Sequence, residues 1–129
     1  MRGIVAAGLA ACVVVSMAFA ADTLNMWQPL QGATYKIFAG DTVAYSEVPT
    51  AKDRKLSVLI KGQPAKEVFD LIGPDDREMC STANGDRERN KGAVQCTYTA
   101  SKANEPWMGY RCWIGVNLVD GKGIPTVSC

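Results

Sequence analysis

The chain has 129 residues, with 14 basic and 13 acidic side chains, five cysteines and no histidine. This length fits one domain with a core of modest size. A net charge of +1 leaves no basic excess for nucleic acid or an anionic membrane surface, so we expect neither partner. The absence of histidine excludes Ser-His, Cys-His and His-metal chemistry.

The first twenty residues have the anatomy of a secretory signal peptide. Arg2 supplies a positive charge, an apolar run follows from Gly3 to Phe19, and Ala18-Phe19-Ala20 is a small-x-small cleavage site. The run is too short for a membrane span, so we expect no stable membrane insertion. The sequence therefore predicts a signal peptide over 1–20, cleavage near Ala20, and a bacterial protein that is periplasmic or secreted.

Cys12 leaves a second interpretation of the leader open. Leu9-Ala10-Ala11-Cys12 fits the pattern at which bacterial lipoproteins are cut and lipidated on the cysteine. However, the stretch before Cys12 is very short, and Val13-Val14-Val15 continues the apolar core where a lipoprotein normally turns polar. We favour cleavage after Ala20, with lipidation of Cys12 as the alternative.

Residues 21–129 are expected to form a single small domain that starts with an irregular arm. Little periodicity is present over 21–32, which is the predicted arm. The runs 33–38 and 42–48 are rich in β-favouring residues and flank the turn signal Gly40-Asp41. This pattern predicts a hairpin.

The clearest strand pattern covers 55–61 and leads into a helical one. In the strand, Leu56, Val58 and Ile60 share one face. Pro64 suits a first helical turn, and Gly73-Pro74 ends the helix. The apolar helix face, at i, i+3, i+4 and i+7, consists of Ala65, Val68, Phe69 and Ile72.

The rest of the chain indicates a long loop followed by further strands. Residues 75–92 are polar and are predicted to be a loop, and 93–99 and 109–119 are predicted strands. Residues 124–129 would return as a short last strand. Together the elements predict an α+β fold: an antiparallel sheet of four to six strands with one main amphipathic helix on one face.

The cysteines outside the leader predict two disulfides. They are Cys80, Cys96, Cys112 and Cys129. An even number in a small exported domain is typical of a disulfide framework. Without a C-x-x-C pair or a histidine, a metal site is the weaker alternative, and we expect no metal or other cofactor.

Three connectivities are possible, and strand pairing favours one. Symmetric pairing of 93–99 with 109–119 sets Cys96 opposite Cys112, close enough for a bridge. This leaves Cys80 to pair with Cys129. We therefore favour Cys96–Cys112 and Cys80–Cys129.

Two stretches carry a resemblance to a known group. The first comprises Asp53–Val58, Ile60–Gly62 and Ala65–Asp75, and the second comprises Tyr110–Gly115, Gly121–Gly123 and Ser128-Cys129. They resemble small secreted or periplasmic proteobacterial proteins that have no assigned activity. The resemblance implies export and a disulfide-stapled scaffold, and it implies no catalytic residues.

Three residues are candidates for binding. Trp107 follows Pro106 in a predicted loop between strands, where an aromatic side chain serves as an interface anchor or folds back over the sheet edge. Arg87 and Arg89 make the long loop mildly cationic, so they would dock an acidic partner or remain solvated.

We find no catalytic constellation and predict no enzyme. Asp75-Asp76 are adjacent residues that rarely point at one substrate, and no calcium loop, phosphate loop or G-x-S-x-G motif is present. By elimination we predict an exported binding protein, of inhibitor or immunity type, whose partner is a protein of the envelope or extracellular space. The alternative is an accessory structural component of a cell-envelope or secretion assembly.

Overall fold

A computed structural model of the chain describes residues 25–129, so the predicted signal peptide and its cleavage site lie outside the described residues. The chain divides between Leu30 and Gln31, and the sheet and the helix belong to the part that begins at Gln31. In the range 25–129, no helix has the length and apolarity that crossing a membrane requires.

Within residues 25–129, five strands form one antiparallel sheet. They are β1 (Thr34–Phe38), β2 (Lys55–Lys61), β3 (Arg87–Lys91), β4 (Val94–Tyr98) and β5 (Tyr110–Asn117). Their order across the sheet is β1-β2-β5-β4-β3, and every neighbouring pair is antiparallel. The α-helix α1 (Gln63–Ile72) packs on the sheet, mainly over β5. The predicted α+β fold is confirmed.

Helix α1 forms where the periodicity predicts it. Gly62 turns the chain at a φ of 74°, and Pro64 occupies the first turn, where no backbone N–H is needed. Ala65 and Phe69 are fully buried one turn apart. The Phe69 ring meets Tyr110 of β5 edge-on, with 5.4 Å between the ring centroids. This face of the helix closes the main core over β5.

Both predicted disulfides are present. Cys96–Cys112 joins directly opposed positions of β4 and β5, in the predicted register. Cys80–Cys129 joins the loop before β3 to a residue 49 positions later. Because disulfides persist in oxidising compartments, the two bridges indicate an environment outside the cytoplasm.

The prediction of a hairpin over 33–38 and 42–48 is wrong. β1 pairs with β2, and the second run contains only an isolated bridge between Ala39 and Glu47. The Asp53 carboxylate accepts the Gly40 N–H at 2.9 Å, and the Lys55 ammonium donates to the Gly40 carbonyl at 2.8 Å. These bonds hold the start of the loop against the start of β2, so the loop does not extend into a strand beside β1.

The prediction of one continuous loop over 75–92 is also wrong, because it contains β3. The sequence of β3, Arg-Glu-Arg-Asn-Lys, lacks the apolar alternation of a half-buried strand. It lies at a sheet edge, where charged residues are tolerated and discourage further pairing. Its long arginine side chains cover the core in place of apolar residues.

Residues 124–129 do not form the predicted last strand. They belong to a segment, Gly123–Cys129, that lies across the sheet face opposite α1 and that we call the C-terminal strap. The Gln95 side-chain carbonyl accepts the N–H groups of Thr126 and Val127, both at 2.9 Å, and its amide donates to the Val127 carbonyl at 2.7 Å. A side chain thus provides the hydrogen bonds that a strand partner would otherwise supply.

Candidate binding groove

Trp107 occupies a closely folded loop between β4 and β5. Its carbonyl accepts the Tyr110 N–H at 3.1 Å, and the Gly109 carbonyl accepts the Thr99 N–H at 2.9 Å. Gly109 is buried at a φ of 73°, where a Cβ atom would press on Thr99 and the ring of Tyr98. Only glycine fits there, so the loop holds the half-buried Trp107 in a defined position.

An open groove of about 460 Å³ lies beside Trp107. One wall comes from the end of β2 and the start of α1, and the other comes from the Trp107 loop. A Cβ atom built on Gly62 would lie 4.0 Å from the Trp107 Cα, so the two walls come close there. The lining includes Lys61, Gly62, Gln63, Pro64, Pro106 and Trp107.

Two cations are associated with the groove. Lys61 lines it, and Arg111 lies directly opposite Lys61 in the pairing of β2 with β5. The Arg111 guanidinium carbon is 4.5 Å from the centroid of the Trp107 ring, which is an attractive cation–π contact. Among residues 25–129, neither cation has a carboxylate within ion-pair distance.

Arg87 and Arg89, the other candidate residues, lie away from Trp107 and Arg111, on the face of β3 that α1 covers. Both donate to Asp75, Arg87 Nε at 2.8 Å and Arg89 Nε at 2.6 Å. Hydrogen bonds from Arg87 and then from Arg89 lower the pKa of Asp75 to about 2. The Arg89 guanidinium carbon also lies 4.3 Å from the Phe69 ring centroid. These contacts give both arginines a packing role, and partner binding by them stays a prediction.

The adjacent carboxylates of Asp75 and Asp76 have separate partners. Asp75 is held by the two arginines, whereas Asp76 accepts a hydrogen bond from the Asn90 amide at 2.5 Å. Within residues 25–129, no group of three or more cysteine, aspartate or glutamate side chains is arranged to hold a metal ion. The groove lining itself presents one cation, Lys61, together with the Trp107 indole and the rings of Pro64 and Pro106.

Lys61 and Arg111 were not singled out by the sequence reasoning. Their proximity depends on the pairing of β2 with β5, which the strand patterns leave open. The signal present in the sequence is a cation at the end of one strand and another at the start of a second, each on the face opposite the apolar set.

Comparison with family models, curated proteins and solved structures finds no match to this chain. The resemblance to small exported proteobacterial proteins therefore stays a prediction.

Proposed function

We propose that this chain is an exported binding protein that recognises another protein of the envelope or extracellular space, as an inhibitor or immunity-type protein. The observation that carries the proposal is the position of Trp107, half-buried beside an open groove and stacked on Arg111. Tryptophan and arginine are the residues that most often dominate interface energies.

The scaffold around the groove supports this role. β5, which carries Arg111, is bridged to β4 by Cys96–Cys112, and α1, which forms one wall, packs on the same strands. A wall that is rigid before binding loses little conformational freedom when a partner docks. The periplasmic or secreted location belongs to this proposal, with the disulfides as its support.

Site-specific photo-crosslinking tests the proposal. A photoreactive residue at Gln63, on the groove, should capture one partner from envelope extracts or growth medium, whereas the same residue at Leu71, exposed near the other end of α1, should not. The captured partner is then purified and titrated calorimetrically against wild type, Trp107→Ala and Trp27→Ala. Trp27 is a fully exposed tryptophan and serves as the matched control.

Trp107→Ala should raise the Kd at least about tenfold, as expected for a hot-spot side chain, and Trp27→Ala should leave it unchanged. Equal affinity for wild type and Trp107→Ala would refute binding through this groove.

The alternative, a structural component of an envelope or secretion assembly, is favoured by the β1 edge. β1 is outermost in the sheet, with Tyr35 73% and Ile37 48% exposed. An exposed apolar edge strand is a template for pairing with another chain. If this role holds, the purified protein self-associates in light scattering, and Ile37→Lys reduces it to a monomer. A monomeric wild type would count against it.

A further inference from the structure

We propose that the groove beside Trp107 binds a carboxylate on an acidic segment of the partner protein, with Lys61 and Arg111 as its cationic contacts. This inference rests on the proposed function, because it names the chemistry that the partner presents to the same site.

Half-buried cations elsewhere in the domain have carboxylate partners. Four such side chains each form an ion pair with an aspartate: Lys55, Lys66, Arg87 and Arg89. Lys61 and Arg111 are also half-buried, yet within residues 25–129 they have no such partner. The other unpaired cations of that range are exposed, so water solvates them. Partial burial of an unpaired charge is unfavourable. The absence of a carboxylate partner at Lys61 and Arg111 therefore indicates a site at which an external carboxylate pairs with them.

Part of the Arg111 guanidinium is buried, so an external ligand reaches only its exposed N–H groups. Its Nε is buried without a hydrogen-bond partner, and no other side-chain nitrogen or oxygen in the described residues shares this condition. Its cross-strand neighbours are Lys61 on β2 and Thr97 on β4, so no acidic residue is paired with it. The contact with the Trp107 ring favours an orientation of the guanidinium against the indole before any ligand arrives.

The acidic residues closest in sequence to the groove lining are already engaged. Glu105 forms an ion pair with Lys102 at 3.5 Å, and Glu67 accepts a hydrogen bond from the Gln63 amide at 3.2 Å. α1 begins at the groove with no side-chain cap and no acidic residue in its first turn. Its N-terminal N–H groups therefore add to the positive potential of the two cations.

The groove has more room than a carboxylate alone requires. Its walls include the rings of Pro64, Pro106 and Trp107, which accept the methylene stem of a glutamate and the residues beside it. A small inorganic anion would leave this apolar surface in water. These walls favour an acidic protein segment over free phosphate as the source of the anion.

The test follows the indole N–H signal of Trp107 by NMR in the exported protein with its disulfides intact. Trp107→Phe assigns the signal. The probes are a blocked Gly-Glu-Gly-Glu-Gly peptide, its glutamine counterpart and inorganic phosphate. The glutamate peptide should shift the signal with a Kd of about 1 mM, and the glutamine peptide should bind at least tenfold more weakly. Added salt should weaken the binding.

Charge-removing variants identify the contacts. Arg111→Gln and Lys61→Gln should each weaken the glutamate peptide about tenfold, and Arg111→Lys should retain part of the affinity. Lys91→Gln removes an exposed, unpaired cation of β3 and should change nothing. Urea unfolding of each variant shows whether it remains folded. If Arg111→Gln does not fold, Lys61→Gln provides a second test.

Three results with the peptides would overturn the inference: equal binding of the two peptides, no shift with the glutamate peptide at about 10 mM, or unchanged affinity for the glutamate peptide in both Arg111→Gln and Lys61→Gln. Phosphate binding tighter than the glutamate peptide would assign the site to free anions and would also overturn it. A failure of this inference can be distinguished from a failure of the proposed function. A crosslinked partner that is lost with Trp107→Ala but kept by Arg111→Gln and Lys61→Gln contradicts the carboxylate inference alone.

Discussion

Ser57 and Thr126, 69 residues apart in the sequence, share a hydrogen bond of 2.7 Å between two buried hydroxyl groups. Ser57 belongs to β2, and Thr126 belongs to the C-terminal strap. Each hydroxyl satisfies the other where water is excluded. The strap is therefore an integral layer of the fold on the sheet face that α1 does not cover.

Thr126→Val should lower the free energy of unfolding by about 1–3 kcal/mol, because it leaves the buried Ser57 hydroxyl without a partner. Ser57→Ala should have a similar effect. The double variant should cost less than the sum of the two, since both polar groups are then absent. Urea unfolding with the disulfides intact measures all three. Strict additivity would show that the hydroxyls do not interact.

Gly115→Ala should destabilise the fold more than Gly92→Ala does, because Gly115 is buried and Gly92 is exposed. A Cβ atom at Gly115 would overlap the Ile124 carbonyl oxygen and the Thr126 methyl group. The strap must then lift from β5, at a cost of about 1–3 kcal/mol, typical of overpacking. Gly92→Ala is the control, because only its positive φ of 59° opposes a side chain there. Equal losses in the two variants would argue against close packing of the strap.

The Asp75 cluster predicts a pH dependence of stability. Hydrogen bonds from Arg87 and Arg89 lower the pKa of Asp75 from 3.8 to about 2. Because the folded-state pKa lies below the unfolded one, this carboxylate stabilises the fold above pH 3.8, and the contribution is lost as the pH falls towards about 2.

Asp75→Asn should therefore lose less stability than wild type over that interval, as measured by urea midpoints. Asp41→Asn, which removes an exposed carboxylate, is the matched control. Parallel pH curves for wild type and Asp75→Asn would contradict the assignment.

The two disulfides should stabilise different parts of the fold. Replacing Cys80 and Cys129 with serine should cost about 2–4 kcal/mol and should speed hydrogen exchange at the strap, at Thr126 and Val127, before the sheet is affected. Replacing Cys96 and Cys112 with alanine removes two buried side chains of the main core and should lower protection throughout the sheet. Exchange measured by mass spectrometry separates the two patterns. If both variants lost protection at the strap to the same extent, the prediction that Cys80–Cys129 specifically holds the strap would be wrong.

Much of the fold follows from local patterns. The alternation over 55–61 and the helical spacing from Ala65 to Ile72 each describe residues close in sequence, and both elements formed as predicted. The register of β4 with β5 also followed, because the two strands are consecutive in the chain and pair symmetrically about the loop that joins them. That register predicted Cys96–Cys112 and, by elimination, Cys80–Cys129.

The wrong predictions concern segments whose structure depends on residues distant in the sequence. β3 carries charged residues because Phe69 and Asp75 stabilise its arginines from outside the strand. The run 42–48 has β-favouring residues, but β1 finds its partner in β2 instead. Propensity describes the residue, whereas pairing depends on which strand edge is free.

The sequence by itself determined the α+β class, the helix and the central strands, because their periodicities act over short stretches of chain, and it favoured the two disulfides without excluding the other connectivities. Only the tertiary structure decided that Lys61 lies opposite Arg111 beside Trp107, that Arg87 and Arg89 pack on the core, and that the strap covers the second sheet face. Each of these depends on the pairing or packing of segments distant in the sequence, and side-chain burial and charge pairing exist only once those segments have come together.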